Sequence, residues 1–237
     1  VEGKFYVWTK KEIKEILGSD ADIFCLYFDV TDGGNWEGNS ILCNNLNTST
    51  VAFNFGISEQ EVYEIINSCS KKLLEIRSKR ISPGLDDKVL VSWNSLMITA
   101  FAKGYRITND VRYLDAAKNC IAFIEKNLFV DGNLLRTYKN GTAKINGYLE
   151  DYSYFVNALL DVFEIEPDSK YLKLALKLGH HLINHFWDSQ NSSFFMTSDN
   201  HEKLIIRPKS NYDLSLPSGN SVSSFVMLRL YHLSQEQ

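Results

Sequence analysis

The sequence predicts an all-α fold, an α/α toroid of repeated helix pairs with short β-hairpins between them. Three observations carry this. From Trp93 the apolar residues recur at helical spacing: Trp93, Leu96, Met97, Ala100, Phe101, Gly104 and Tyr105. The pattern then returns at an offset of 58, so that Asp110, Tyr113, Leu114 and Ala117 match Asp168, Tyr171, Leu172 and Ala175. Between the copies lie the turn signals Asp131-Gly132-Asn133 and Asn140-Gly141. A repeated helix pair buries its apolar face on its neighbours, which implies a stacked or closed array. The hairpins and the long repeat fit a toroid better than a plain superhelix.

The N-terminal part is less regular. Gly3 to Trp8 reads as an extended entry. Thr9 with Glu12, and Ser58 with Glu61, are capping boxes. The first opens a short helix ending near Gly18, and the second a charged helix running to about Arg80. Asp20 to Phe28 is a further short helical piece, Asp32 to Asn39 a turn-rich loop, and Asn54 to Gly56 a linker. Residues 1–237 are taken as a single domain, part of a toroid.

Next comes Pro83-Gly84-Leu85-Asp86-Asp87-Lys88-Val89-Leu90-Val91-Ser92-Trp93-Asn94, a charged turn running into a helix with Ser92 as N-cap. The inner helices of the array start near Trp93, Asp151 and Ser218. Their N-termini gather on one rim, where the loops 86–92, 146–151 and 213–218 converge.

Composition narrows the function. With 44% hydrophobic residues and a net charge of -4, the chain is globular and lacks the basic block that phosphate backbones require, so nucleic acid is not an expected partner. No apolar run approaches a membrane helix, so no membrane is expected either. Cys25, Cys43, Cys69 and Cys120 form no CxxC or zinc spacing and read as free thiols of a reducing compartment, hence a cytoplasmic location. Neither a cofactor nor a metal is expected. The chain begins at Val1 without Met and reads as a piece of a longer protein.

Five ordered motifs then carry a resemblance: GxFYxW at Gly3 to Trp8, GNWEG at Gly34 to Gly38, PGLDDKVLVSWN at Pro83 to Asn94, GYLEDY at Gly147 to Tyr152, and LPSGNS at Leu216 to Ser221. Together they resemble the spermatogenesis-associated protein 20 family. The resemblance implies a thioredoxin-like domain followed by a six-hairpin toroid similar to N-acylglucosamine 2-epimerases and many glycosidases. The redox domain and some hairpins are absent from this chain, so a partner or further segment is expected to complete the ring.

By that likeness the expected function is carbohydrate binding or chemistry: epimerisation, isomerisation or hydrolysis of a sugar. The candidate catalytic carboxylates are the rim acids Asp86, Asp87, Glu150 and Asp151, since a sugar bond is cleaved between two carboxylates of unlike pKa. The competing reading is that they salt-bridge the rim and favour helix dipoles. Candidate substrate-binding residues are Trp36, Glu37, Lys88, Trp93, Asn94, Tyr152, Ser218 and Asn220. Trp36 instead anchors its loop, and Trp93 and Tyr152 instead fill the core, if their apolar surface dominates. His180, His181 and His185 fall on an outer helix, as surface or packing residues. The alternative function is a non-catalytic module attached to the redox domain.

Overall fold

The structure, a computed structural model, describes residues 3–202 and 205–235. The described residues gather into two compact units, Val1–Asp86 and Asp87–Gln237.

The first unit is a small helical cluster. Helix α1 (Lys10–Leu17) opens on the first capping box: Thr9 Oγ1 accepts the Glu12 N–H at 3.1 Å, and the Glu12 carboxylate accepts the Thr9 N–H at 2.8 Å. It stops at Gly18, whose φ of 61° most side chains avoid. A single 3₁₀ turn leads into α2 (Ala21–Tyr27). Then come α3 (Thr48–Phe55) and α4 (Glu59–Arg77).

Two expectations are corrected here. The segment read as a linker is the last turn of α3 with its left-handed Gly56 cap, and Asn47 starts that helix by accepting the Thr50 N–H. Helix α4 ends at Arg77 rather than near Arg80. Arg80 leaves the helix, lies over the Trp8 ring at 3.9 Å and donates to the carbonyls of Phe5 and Val7. The unit's core is Trp8, Ile13, Leu17, Phe24, Val30, Cys69 and Leu73.

The second unit holds the repeats. Strand β1 (Val89–Leu90) leads into α5 (Val91–Thr108), and α6 (Val111–Asn127) returns. The strands β2 (Phe129–Val130), β3 (Asn133–Lys139) and β4 (Thr142–Asn146) follow. β3 pairs antiparallel with β1, β2 and β4. Both hairpin turns hold positive φ at both central residues, Asp131 and Gly132 in one and Asn140 and Gly141 in the other, the geometry such dipeptides favour. Helices α7 (Leu149–Phe163) and α8 (Ser169–Phe186) form the second pair, closed by a small hairpin of β5 (Trp187–Asp188) and β6 (Ser193–Phe194). Helix α9 (Gly219–Ser234) follows.

The repeat offset reappears as spatial register. Along α5 and α7, Ser92 bonds to Asp151, Thr99 to Asn157, and Arg106 pairs with Glu164. Both chains ascend together, so these helices are parallel, as expected of inner helices. Helix α9 runs the same way: Gly219 packs on Leu149 at its start, and Arg229 reaches Asn157, Asp161 and Glu164 further along. The returning helices α6 and α8 start at equivalent caps, Asp110 accepting the Arg112 N–H and Asp168 the Lys170 N–H, each at 3.0 Å.

Helix α7 is the centre of this unit, packed by α5, α8 and α9. Its Phe155, Val156, Leu159 and Val162 are fully buried. Truncating Leu159 to Ala is expected to cost about 2–5 kcal/mol, because the helices around it cannot collapse into the cavity. Met97→Ala, at an exposed position, is expected to stay within about 0.5 kcal/mol. Urea unfolding followed by circular dichroism measures both.

Candidate functional site

The three inner helices bring their N-termini to one rim, and a buried carboxylate joins two of them. Asp151, at 0% exposure, accepts the Ser92 N–H of α5 at 3.0 Å and the Tyr148 N–H of its own helix at 2.9 Å. Arg136 on β3 donates to it at 2.9 Å and to Glu150 at 2.8 Å. Asp151 therefore satisfies an orphan N–H at the mouth of each helix. Burial pushes its carboxyl above the usual range, while Arg136 and the Tyr148 N–H pull it down. The cap of α5 thus differs from expectation: Ser92 is inside the helix, Leu90 precedes it without a side-chain cap, and the missing acceptor comes from Asp151.

Beside this tie lies a cavity of about 350 Å³. Tyr148, Leu149 and Glu150 at the start of α7 form one wall, with Met196 next to them. Ser210, Tyr212 and residues 214–219, which lead into α9, form the other. The second wall is stapled at two points. Asn220 Nδ2 donates to the carbonyls of Ser210 and Phe194, each at 3.0 Å, and its Oδ1 accepts the Phe194 N–H at 2.7 Å. Asp213 Oδ1 accepts the Ser218 N–H at 2.7 Å and the Ser221 hydroxyl at 3.1 Å. The Ser218 N–H in particular holds the Asp213 carboxyl below its usual range. Tyr154 reaches up from α7 and donates its hydroxyl to the Pro217 carbonyl.

Of the residues picked from sequence, Glu150 and Ser218 line this cavity and Asn220 braces its wall. Asp151 sits behind Glu150, closed off from solvent. Tyr152 is core: its hydroxyl accepts the Leu134 N–H at 2.9 Å, and burial pushes that hydroxyl up to about 12. Trp93 is 59% exposed and Asn94 half-buried, its Nδ2 capping back to the Leu90 carbonyl. Neither forms part of the cavity wall, and Trp93 is not core. Its place on the exposed flank of α5 is set by helical phase, since Ser92, Ser95 and Ile98 take the buried side.

Asp87 pairs with Lys139 at the surface, and this hydrogen bond holds its carboxyl below the usual range. Lys88 is exposed in the same entry segment. Asp86, Trp36 and Glu37 belong to the first unit. There the Trp36 ring packs on Gly3, where a Cβ would come within 2.9 Å, and Glu37 is exposed at a positive φ of 47°.

The cavity also holds residues the sequence reading passed over: Tyr148, Met196, Tyr212 and the brace Asp213. Tyr148, Tyr212 and Asp213 lie in or beside the rim loops, whereas Met196 follows β6 and carries no such signal. Among the described residues no group of three or more His, Cys, Asp or Glu is placed to hold a metal ion.

The histidines of α8 are not all peripheral. His181 stacks on Tyr152 with centroids 4.7 Å apart and planes 7° apart, beside His185, which pairs with Asp199 at 2.8 Å. The outer helix touches the inner one through this ring. Burial and the neighbouring His185 bring His181 down to about 4, with Lys177 acting the same way and Asp199 against it.

Two predictions follow from this geometry. Asp151→Ala leaves the Ser92 and Tyr148 N–H groups without their acceptor and Arg136 with Glu150 alone, and is expected to cost about 1–3 kcal/mol for each donor left unsatisfied, far more than Asp87→Asn at the surface. Urea titration of both variants measures this. For His181, the unfolded imidazole titrates near 6.5 and the folded one near 4. In that window the unfolded chain binds more protons, so stability falls as pH drops from 6.5 toward 4. His181→Phe should flatten that part of the profile in thermal melts.

Comparison with known proteins places this geometry in context. No family model matches the chain. An uncharacterized Caenorhabditis elegans protein is 31% identical over 100% of this chain and 36% of its own length. Human spermatogenesis-associated protein 20 is 30% identical over 97% of this chain and 33% of its own. Among solved structures, a D-mannose isomerase aligns with a TM-score of 0.52 at 16% identity over 63% of this chain and 37% of that one. An α-1,6-mannanase of Salegentibacter sp. aligns with a TM-score of 0.51 at 15% identity over 96% and 66%. A family 105 glycoside hydrolase of C. acetobutylicum gives 0.51 at 14% over 80% and 56%. These likenesses show the fold, that of the six-hairpin glycosidase-like toroids. On sequence, the chain is a relative of the spermatogenesis-associated protein 20 family and spans about a third of the length of the relatives it matches.

Proposed function

We propose that the rim cavity binds a mono- or oligosaccharide, with isomerisation, epimerisation or hydrolysis as its chemistry. The observation that carries this is the cavity itself: one partly exposed carboxylate, two tyrosines and a serine-rich wall around about 350 Å³, within the size range of small-molecule sites. A polar lining with an aromatic component suits a polyhydroxylated ring. Structural neighbours named as a D-mannose isomerase and an α-1,6-mannanase support a sugar.

Within the cavity Glu150 is the acid–base group. Arg136 binds its Oε1 at 2.8 Å and restrains the carboxylate of a residue that lines the cavity together with Pro217 and Ser218. A proton moved at a bound sugar would pass to or from Glu150. Asp151 is the positioning partner, sharing Arg136 and holding the start of α7.

A second reading is favoured by a specific observation: Asp87, Glu150 and Asp151 are each engaged by a cation. In that reading the cavity binds a sugar or a protein without turnover and serves a redox domain elsewhere in the longer protein.

A thermal-shift panel of D-mannose, D-glucose and α-1,6-mannobiose on the intact protein, followed by NMR of the products, separates these readings. The enzyme reading expects stabilisation by a sugar, turnover, and a loss of turnover of about 10²–10⁴-fold in Glu150→Gln with binding retained. Binding without turnover gives the module. A protein stabilised by none of the three sugars overturns the carbohydrate reading.

A further inference from the structure

The cavity contains two aromatic rings, and they are not equivalent. Tyr148 is already engaged: Arg136 lies over its ring at 4.8 Å from the centroid, and His201 stacks on it at 5.3 Å with planes 25° apart. A ring so occupied offers a ligand its edge and hydroxyl rather than a face. Tyr212 is 82% exposed and yet forms part of the cavity wall. No ring or cation of the described residues is stacked on it.

Exposure alone would leave Tyr212 a mobile surface side chain. Its segment is braced on both sides instead, through the Ser210 backbone carbonyl and the Asp213 side chain. Two residues before, the Ser210 carbonyl accepts Asn220 Nδ2 at 3.0 Å; one residue after, Asp213 accepts the Ser218 N–H at 2.7 Å. Asn220 and the Ser218 cap belong to the first turn of α9, so a rigid helix start positions the segment that carries the ring. A tyrosine ring at a cavity edge presents a face that matches the apolar face of a ligand.

Resting on the carbohydrate reading above, we propose that Tyr212 is the stacking platform for a neutral pyranose in this cavity, opposite Glu150, with Asn220 and Asp213 as positioning residues. A pyranose has the required shape: C–H groups on one face for the ring and hydroxyls on its rim. Those hydroxyls would face the Glu150 carboxylate and the serine wall. A neutral ring is chosen because Arg136 already pairs with Glu150 at 2.8 Å, so that a charged sugar would find no open counter-charge there.

The test is titration of the intact protein with D-mannose, D-glucose and α-1,6-mannobiose, by calorimetry and by saturation-transfer NMR, for wild type, Tyr212→Ser, Tyr212→Trp and Glu150→Gln. Tyr212→Ser is expected to weaken binding about three- to tenfold, the usual worth of one aromatic contact, with an unchanged melting temperature because the side chain is exposed. Tyr212→Trp is expected to restore binding, and saturation to be strongest at protons on one face of the sugar. Unchanged affinity in Tyr212→Ser, in a protein that binds at least one of the three sugars, overturns the platform and leaves the carbohydrate reading standing. Absence of binding by all three sugars overturns both.

Discussion

One buried carboxylate holds the rim together. Asp151 receives a backbone N–H from each of two neighbouring helices and the guanidinium of Arg136 from the sheet. Removing a carboxylate from water is costly, and only several good donors offset that cost. The arrangement therefore tolerates little displacement. The starts of α5 and α7 must stay adjacent, and β3 must pass close enough for Arg136 to reach both acids. The parallel register that continues through Thr99 and Asn157 to Arg106 and Glu164 is consistent with this starting point.

The neighbouring acids consequently have different tasks. Asp151 points inward and is consumed by the fold, while Glu150, one residue earlier, points to the cavity and shares the same arginine. Adjacent helical positions project about 100° apart, so one pair of acids at a helix start can serve both packing and a site. On the other side, the first turn of α9 contributes through Ser218 and Asn220, which with the Asp213 carboxylate brace residues 210–217 as a wall.

Much of the fold was legible because its signals are local or periodic. The 58-residue offset located equivalent caps at Asp110 and Asp168, and it survives as the contact register between α5 and α7. The Asp-Gly and Asn-Gly dipeptides mark the two hairpins of β3, and no such dipeptide marks the β5–β6 hairpin. Helix α3 was missed because its eight residues carry too little periodicity, leaving only the Asn47 cap and Gly56 as signals. At the site, sequence reached the right loops and not the orientation of side chains within them. Ser92 looked like a cap because local chemistry cannot reveal an acceptor 59 residues away. Trp93 and Tyr152 looked equivalent, yet helical phase and neighbours leave one exposed and bury the other. His181 takes the packing place open to a histidine on an outer helix, but its partner Tyr152 is visible only in three dimensions.

The coupling between Asp151 and Arg136 is the most direct measure of whether a buried ion pair organises the rim. A double-mutant cycle with Asp151→Ala, Arg136→Met and the combined variant, followed by urea unfolding, isolates it. The account expects an interaction free energy above about 1 kcal/mol, the double variant being much less destabilised than the two single losses added. Additivity within about 0.5 kcal/mol would contradict it, and would mean that the rim is held by packing alone.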